Sequence, residues 1–122
     1  MALGNSLLGK KGEDAAAEHL AGRGYTILAR NVRTPSGELD LVAQAGEFLV
    51  FVEVKTRRGR THGLPEEAIT PRKKSHLLGS AQYYLQENGR MESPWRIDVV
   101  AIEYSRTGAL ERIEVFENAV SG

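Results

Sequence analysis

Glu53 and Lys55 are the residues from which chemistry is most readily read. They lie two apart in Glu47–Lys55, where Phe48, Val50, Val52 and Val54 alternate with Leu49, Phe51, Glu53 and Lys55. Alternate residues of a strand share a face, so the pair sits together, roughly 6.5–7 Å apart along the chain. Both faces are apolar up to Glu53, which predicts a central strand covered on both sides, where charge is costly. Glu38–Ala43 supplies the partner strand through Gln44-Ala45-Gly46-Glu47. That turn predicts Asp40 opposite Phe51 and Glu38 opposite Glu53, so Glu38, Asp40, Glu53 and Lys55 emerge on one face. Asp40 is then diagonal to Glu53, roughly 7–8 Å away backbone to backbone, near enough for both side chains to reach one ion. A slip of one residue would turn Asp40 to the other side.

Two carboxylates about 4 Å apart repel by roughly 4 kcal/mol at an effective dielectric of 20. One lysine does not neutralise three acids, so such a cluster needs protons or a cation. Oxygen ligands that leave room for water suit Mg²⁺ or Mn²⁺ rather than zinc. The alternative is plainer: Glu53–Lys55 as an ion pair on a partly exposed strand, with Asp40 a surface acid near a turn.

These residues need elements to position them. A helix is expected from Leu7 to Arg23, with Asn5 or Ser6 as N-cap and Gly24 at its end. Gly9, Gly12, Ala16 and Leu20 form a narrow stripe that lets this helix lie close to a sheet, and Glu13 borders the stripe. The same Glu13 is also an ordinary acid near a helix start, favoured there by the dipole. Tyr25–Arg33 reads as a strand carrying Arg30 and Arg33 near its end, before a Thr34-Pro35-Ser36-Gly37 turn. After the hairpin comes a polar loop, Arg57–Pro65, which would clamp a ligand or merely connect. Glu66–Ile69 is expected to form a short turn.

Thr70 then caps a second helix, Pro71 to Asn88, whose apolar face is Leu77, Leu78, Ala81, Tyr84 and Leu85. Lys74 leads that face and Lys73 lies one step round; both are placed to reach a phosphate or to snorkel. Trp95–Glu103 and Leu110–Phe116 complete the strands, with Arg96–Asp98 read as a structural pair and the last residues frayed. The order is α-β-β-β-α-β-β. It predicts an α/β fold with a mixed sheet of about five strands and a helix on each face.

At 122 residues the chain suits one domain, 1–122. It has no cysteine, hence no disulfide, thiol nucleophile or Cys-based zinc site, and its three histidines lack ligand spacing. No apolar run approaches a membrane span, and the amino terminus lacks a signal-peptide stretch, so a cytoplasmic location is expected. Net charge is zero. Yet Lys55, Arg57, Arg58, Arg60, Arg72, Lys73 and Lys74 crowd the middle of the chain. A basic stripe beside acids is what a phosphodiester backbone near a metal ion requires; it is also what an exposed loop beside a helix looks like.

With Glu13, Asp40 and Glu53-Val54-Lys55 in this order, the sequence resembles the restriction-endonuclease-like superfamily, the PD-(D/E)XK nucleases. Within it the chain is most similar to the YraN family of small bacterial endonuclease-like proteins, themselves similar to archaeal Holliday junction resolvases. The likeness is carried by GKKGEDAAAEHL, GELDLVA, FVEVKTR, the EEAIT-to-YYL region and RIDVVAI. It implies metal-dependent cleavage of DNA, branched or junction DNA included. Asp40, Glu53 and the Val54 backbone carbonyl would hold Mg²⁺ or Mn²⁺, and Glu13 a further water or a second ion. Lys55 would orient or activate the attacking water. Arg30, Arg33, Arg57, Arg58, Arg60, Lys73 and Lys74 are the candidate nucleic-acid contacts. A homodimer would suit junctions, which need two cuts. Leu39 stands where the superfamily motif has proline, and Gln82 and Tyr84 match the helix motif of some relatives too loosely to take a role. The competing expectation is a nucleic-acid-binding module with this fold, no turnover and a protein partner.

Overall fold

The structure, a computed structural model, describes residues 2–59 and 63–120, with side chains from Leu7 onward. The elements run α1 (Ala2–Gly22), β1 (Thr26–Thr34), β2 (Gly37–Ala45), β3 (Phe48–Arg58), a 3-10 turn (Pro65–Ala68), α2 (Pro71–Glu87), β4 (Trp95–Tyr104) and β5 (Leu110–Val120). The five strands form one sheet in chain order, antiparallel except for the parallel β3–β4 pair. The expected α-β-β-β-α-β-β order and mixed sheet are what the chain adopts. Among the described residues no helix is long and apolar enough to cross a membrane.

The two faces of the sheet carry separate cores. On one, Ala16, Ala17 and Leu20 of α1 pack on Leu41, Ala43, Val50, Val52, Val100 and Ile102. On the other, Leu77, Ala81 and Leu85 of α2 pack on Leu39, Val42, Leu49, Phe51 and Ile97. The Phe51 ring meets Tyr84 and Trp95 edge-on, with centroids 5.6 and 5.9 Å away, an arrangement favoured by the ring quadrupoles. Because β3 and β4 are covered on both sides, their apolar residues do not need to alternate with polar ones. Val50–Val52 and Ile97–Ile102 are all buried accordingly.

Local chemistry sets the helix ends. Tyr25 N–H bonds to Leu20 O at 3.0 Å and Gly24 N–H to Ala21 O at 3.1 Å, closing α1 with Gly24 at φ 93°. Gly12 lies so close to Thr56 of β3 that an added Cβ would strike the threonine side chain, whereas Gly9 has open space. The close approach of α1 thus rests on Gly12. At α2 the Thr70 hydroxyl accepts from Lys73 N–H at 3.1 Å, and Pro71 occupies the first helical position.

Several boundaries differ from expectation. Helix α1 starts at Ala2, so Asn5 and Ser6 lie within it and do not cap it. Strand β3 runs on through Arg57 and Arg58, which pair with Glu103 and Tyr104 of β4, so these arginines are on a strand and not in a loop. Residues 117–120, expected to fray, are ordered in the sheet: β5 continues to Val120, which is buried beside Ile97, and the last two residues lie outside the described ones. Asn118, at φ 52°, makes this possible by giving its N–H to Asp98 Oδ1 at 2.9 Å. Asp98, fully buried, also accepts from Tyr25 Oη at 3.1 Å and from Arg96 Nε at 3.0 Å, so the structural pair is part of a larger network.

Candidate metal and nucleic-acid site

The hairpin register differs from the expected one by two residues. Val42, not Asp40, is opposite Phe51, because the chain turns at Gly46-Glu47 with Ala45 opposite Phe48. A shift of two preserves faces, so the acids still converge, but more closely than a diagonal pair would. The β2–β3 ladder ends at Leu41 opposite Val52. There β2 rolls over: Leu41 belongs to the α1-side core and Leu39 to the α2-side core, contrary to the period of two. The roll sends the Asp40 carboxylate into the gap between the strands, where Oδ2 accepts from Val54 N–H at 2.8 Å.

Glu53 is almost wholly buried, with its side chain 3% exposed. Its Oε2 is 3.1 Å from Lys55 Nζ and 3.3 Å from Lys73 Nζ of α2. Its Oε1 is buried and receives no hydrogen bond from any N–H or hydroxyl. Burial, then the Glu53 charge, push the Asp40 carboxyl up to about 8 against the pull of the Val54 N–H. Burial also raises Glu13, opposed by a hydrogen bond from Asn31. Glu13, Asp40, Glu53, Val54 and Lys55 line one open cavity of about 550 Å³, together with Leu8, Gly9, Thr56, Arg57, Arg58 and Lys73.

Among the described residues no three His, Cys, Asp or Glu side chains are grouped to enclose a metal ion. The donor set is instead two carboxylates on adjacent strands, one with an orphaned oxygen and the other raised by burial and by its neighbour's charge. Such a set fits a hard ion that keeps much of its water, as Mg²⁺ does, with Val54 offering its carbonyl on the same strand. A structural zinc, which takes four protein ligands, does not fit.

The candidate phosphate contacts divide. Arg57, Arg58 and Lys73 line the cavity, and the Arg57 Nε is buried without an acceptor. Arg30 instead pairs with Asp14 at 2.7 Å, and Arg33 stands 3.9 Å from Glu38 at the sheet edge. Lys74 lines a different cavity of about 210 Å³, with Glu66, Ile69, Val99, Phe116 and Ala119. Arg60 lies outside the described residues.

A model of the uncharacterised protein family UPF0102 matches residues 12–102. The chain belongs to that family. UPF0102 is the YraN family that the motifs resemble. The match takes in Glu13, Asp40, Glu53, Lys55 and Lys73. The chain is 46% identical to a UPF0102 protein of Dehalococcoides mccartyi over 98% of each chain. It is 50% identical to one of Pelotomaculum thermopropionicum, over 98% of this chain and 99% of the relative. With one of Symbiobacterium thermophilum it shares 52% identity over 92% and 94%. All three are named simply as UPF0102 proteins.

Two residues at this UPF0102 site were not legible as such. Asn31, at φ 52° within β1, holds Glu13; its one sequence signal is that Asn tolerates the left-handed region. Lys73 was expected at a phosphate and is found on Glu53. The Thr70-Pro71 start fixes it as the third residue of α2, but not which part of the sheet it faces.

Proposed function

We propose that this protein is a metal-dependent endonuclease hydrolysing phosphodiester bonds in DNA, with branched or junction DNA the substrate to test first. It would then belong to the restriction-endonuclease-like superfamily. The observation that carries the reading is the meeting of Asp40, Glu53 and Lys55 at one cavity, with a buried Glu53 oxygen that has no hydrogen-bond partner among the described residues. Asp40, Glu53 and the Val54 carbonyl would hold Mg²⁺ or Mn²⁺. Bound there, the ion supplies Lewis acidity to the phosphate and lowers the pKa of water.

The chain's own residues do the rest. Lys55 orients the attacking water and offsets the charge that grows on the phosphoryl oxygens. Glu13, reaching from α1 and held by Asn31, positions a further water or a second ion. Arg57 and Arg58 continue the Lys55 strand along the cavity and would hold the backbone on either side of the scissile bond. Junction cutting would call for a homodimer, and a bacterial DNA substrate for a cytoplasmic location.

One observation favours a second reading. Lys55 and Lys73 both sit on Glu53, so the acid pair is balanced without an ion. That state would suit a nucleic-acid-binding module that works through a protein partner. Labelled junctions, flaps, duplexes and single strands, incubated with Mn²⁺, separate the two. Cleavage that disappears in Asp40→Ala supports the enzyme; binding of the same substrates without cleavage supports the module.

A further inference from the structure

Among the described residues that line the cavity, Lys73 is the one cation that does not come from β3. Its backbone is fixed, being the third residue of a helix capped by Thr70 and started by Pro71. From there its Nζ reaches the Glu53 oxygen that Lys55 already holds. One lysine is enough to neutralise Glu53. The second meets the same oxygen from another element, an arrangement that the Glu53–Lys55 pair does not require. The two lysines also differ in tether. Lys55 rises from the same strand face as Glu53 and stays within reach of whatever occupies the cavity. Lys73 comes from another element, and its side chain is the more exposed, 35% against 25%. A compact ammonium on a flexible four-carbon stem can leave such a pair at little conformational cost.

We propose that Lys73 is a displaceable counter-ion. It holds the Glu53 carboxylate while no divalent ion is bound, yields that oxygen to an incoming ion, and moves its ammonium onto a phosphate oxygen of nucleic acid in the same cavity. The identity of the ion and of the anion rests on the nuclease reading. The displacement itself does not require turnover. The ion pair competes with the ion for one oxygen, so removing the lysine's charge should strengthen ion binding when nucleic acid is absent. Once the ion is in place, the same change should weaken phosphate binding.

Calorimetric titration of Mn²⁺ into the intact chain tests this without any cleavage assay. Lys73→Met is expected to bind Mn²⁺ about tenfold more tightly than the wild type, equivalent to ~1.4 kcal/mol. Lys73→Arg keeps the pair and should match the wild type. Lys74→Met removes the same charge one residue on, away from Glu53, and should leave the affinity unchanged. Lys73→Gln serves in place of Met if Met lowers the melting temperature. With a phosphorothioate duplex, Lys73→Met should lose affinity in the presence of Mn²⁺ and not in its absence. Tighter binding by Lys73→Met alone, even where the wild type binds no ion, supports the proposal. Equal or weaker binding overturns it and leaves the metal site standing. An equal gain in Lys74→Met overturns it too, since charge alone would then account for the effect. No binding by the wild type or by Lys73→Met overturns this proposal and the nuclease reading together.

Discussion

The Asp40 carboxylate accepts the Val54 N–H at 2.8 Å across the gap where β2 and β3 stop pairing. A side chain here takes the place of a ladder bond, and it does so at the middle residue of Glu53-Val54-Lys55. The contact ties the acid of one strand to the motif of the next, and sets Asp40 against Glu53.

This closeness makes the site sensitive to pH. Asp40 is raised from 3.8 to about 8, so the folded chain keeps a proton there that the unfolded chain gives up. The associated stability is fully present below pH ~4 and is lost as pH rises towards ~8, by on the order of a few kcal/mol. Glu13, also raised, acts in the same direction. Urea unfolding without divalent ions should show wild type weakening from pH 5 to pH 8 more than Asp40→Asn does. Parallel profiles would show that Asp40 ionises as freely in the fold as out of it.

Lys55→Ala should abolish cleavage and leave DNA binding largely intact, because the lysine acts on the reacting group and one charge among several contributes little to affinity. Single-turnover cleavage and a filter-binding isotherm on the same junction measure the two effects. Cutting at the wild-type rate would remove Lys55 from the chemistry.

Arg57 and Arg58 line the cavity and Lys74 does not. Replacing both arginines with alanine should therefore reduce the slope of log affinity against log salt by about two, while Lys74→Ala leaves it unchanged. The reverse pattern would move the phosphate track to the other side of α2.

Gly12→Ala should destabilise the fold by about 1–3 kcal/mol, because the new methyl meets the Thr56 side chain from α1. The helix would have to back away and take Glu13 with it. Thr56→Ala in the same chain should recover most of the loss, a coupling expected only of residues in contact. Thermal melts of the two single variants and the double variant supply the cycle, and strict additivity would rule out the contact.

Asp98→Ala should cost about 3–5 kcal/mol, since it strands the donors Tyr25 Oη, Arg96 Nε and Asn118 N–H around a fully buried position. The network lies apart from the cavity lining, so Mn²⁺ affinity of the folded variant should stay at the wild-type value. A change in that affinity would tie the network to the site.

Much of this could be read from residue order alone. Glycine and proline positions and the period of the apolar residues specify the helices and strands locally, within one or two turns of chain. The pattern of Phe48–Val52, apolar on both sides, marked β3 as a covered strand, and the alternation put Glu53 and Lys55 on one face. The hairpin parity carried over for the paired residues Leu41–Ala45, because a register error of two residues keeps each of them on its own face.

Other features depended on contacts between elements distant in sequence. The roll at Asp40, the left-handed Asn31 and Asn118, the burial of Val120, and the sorting of Lys73 from Lys74 belong to this class. None has a periodic signature. Each arises where two packed elements compete for the same backbone or the same charge, and only the assembled sheet, with α1 on one face and α2 on the other, resolves that competition.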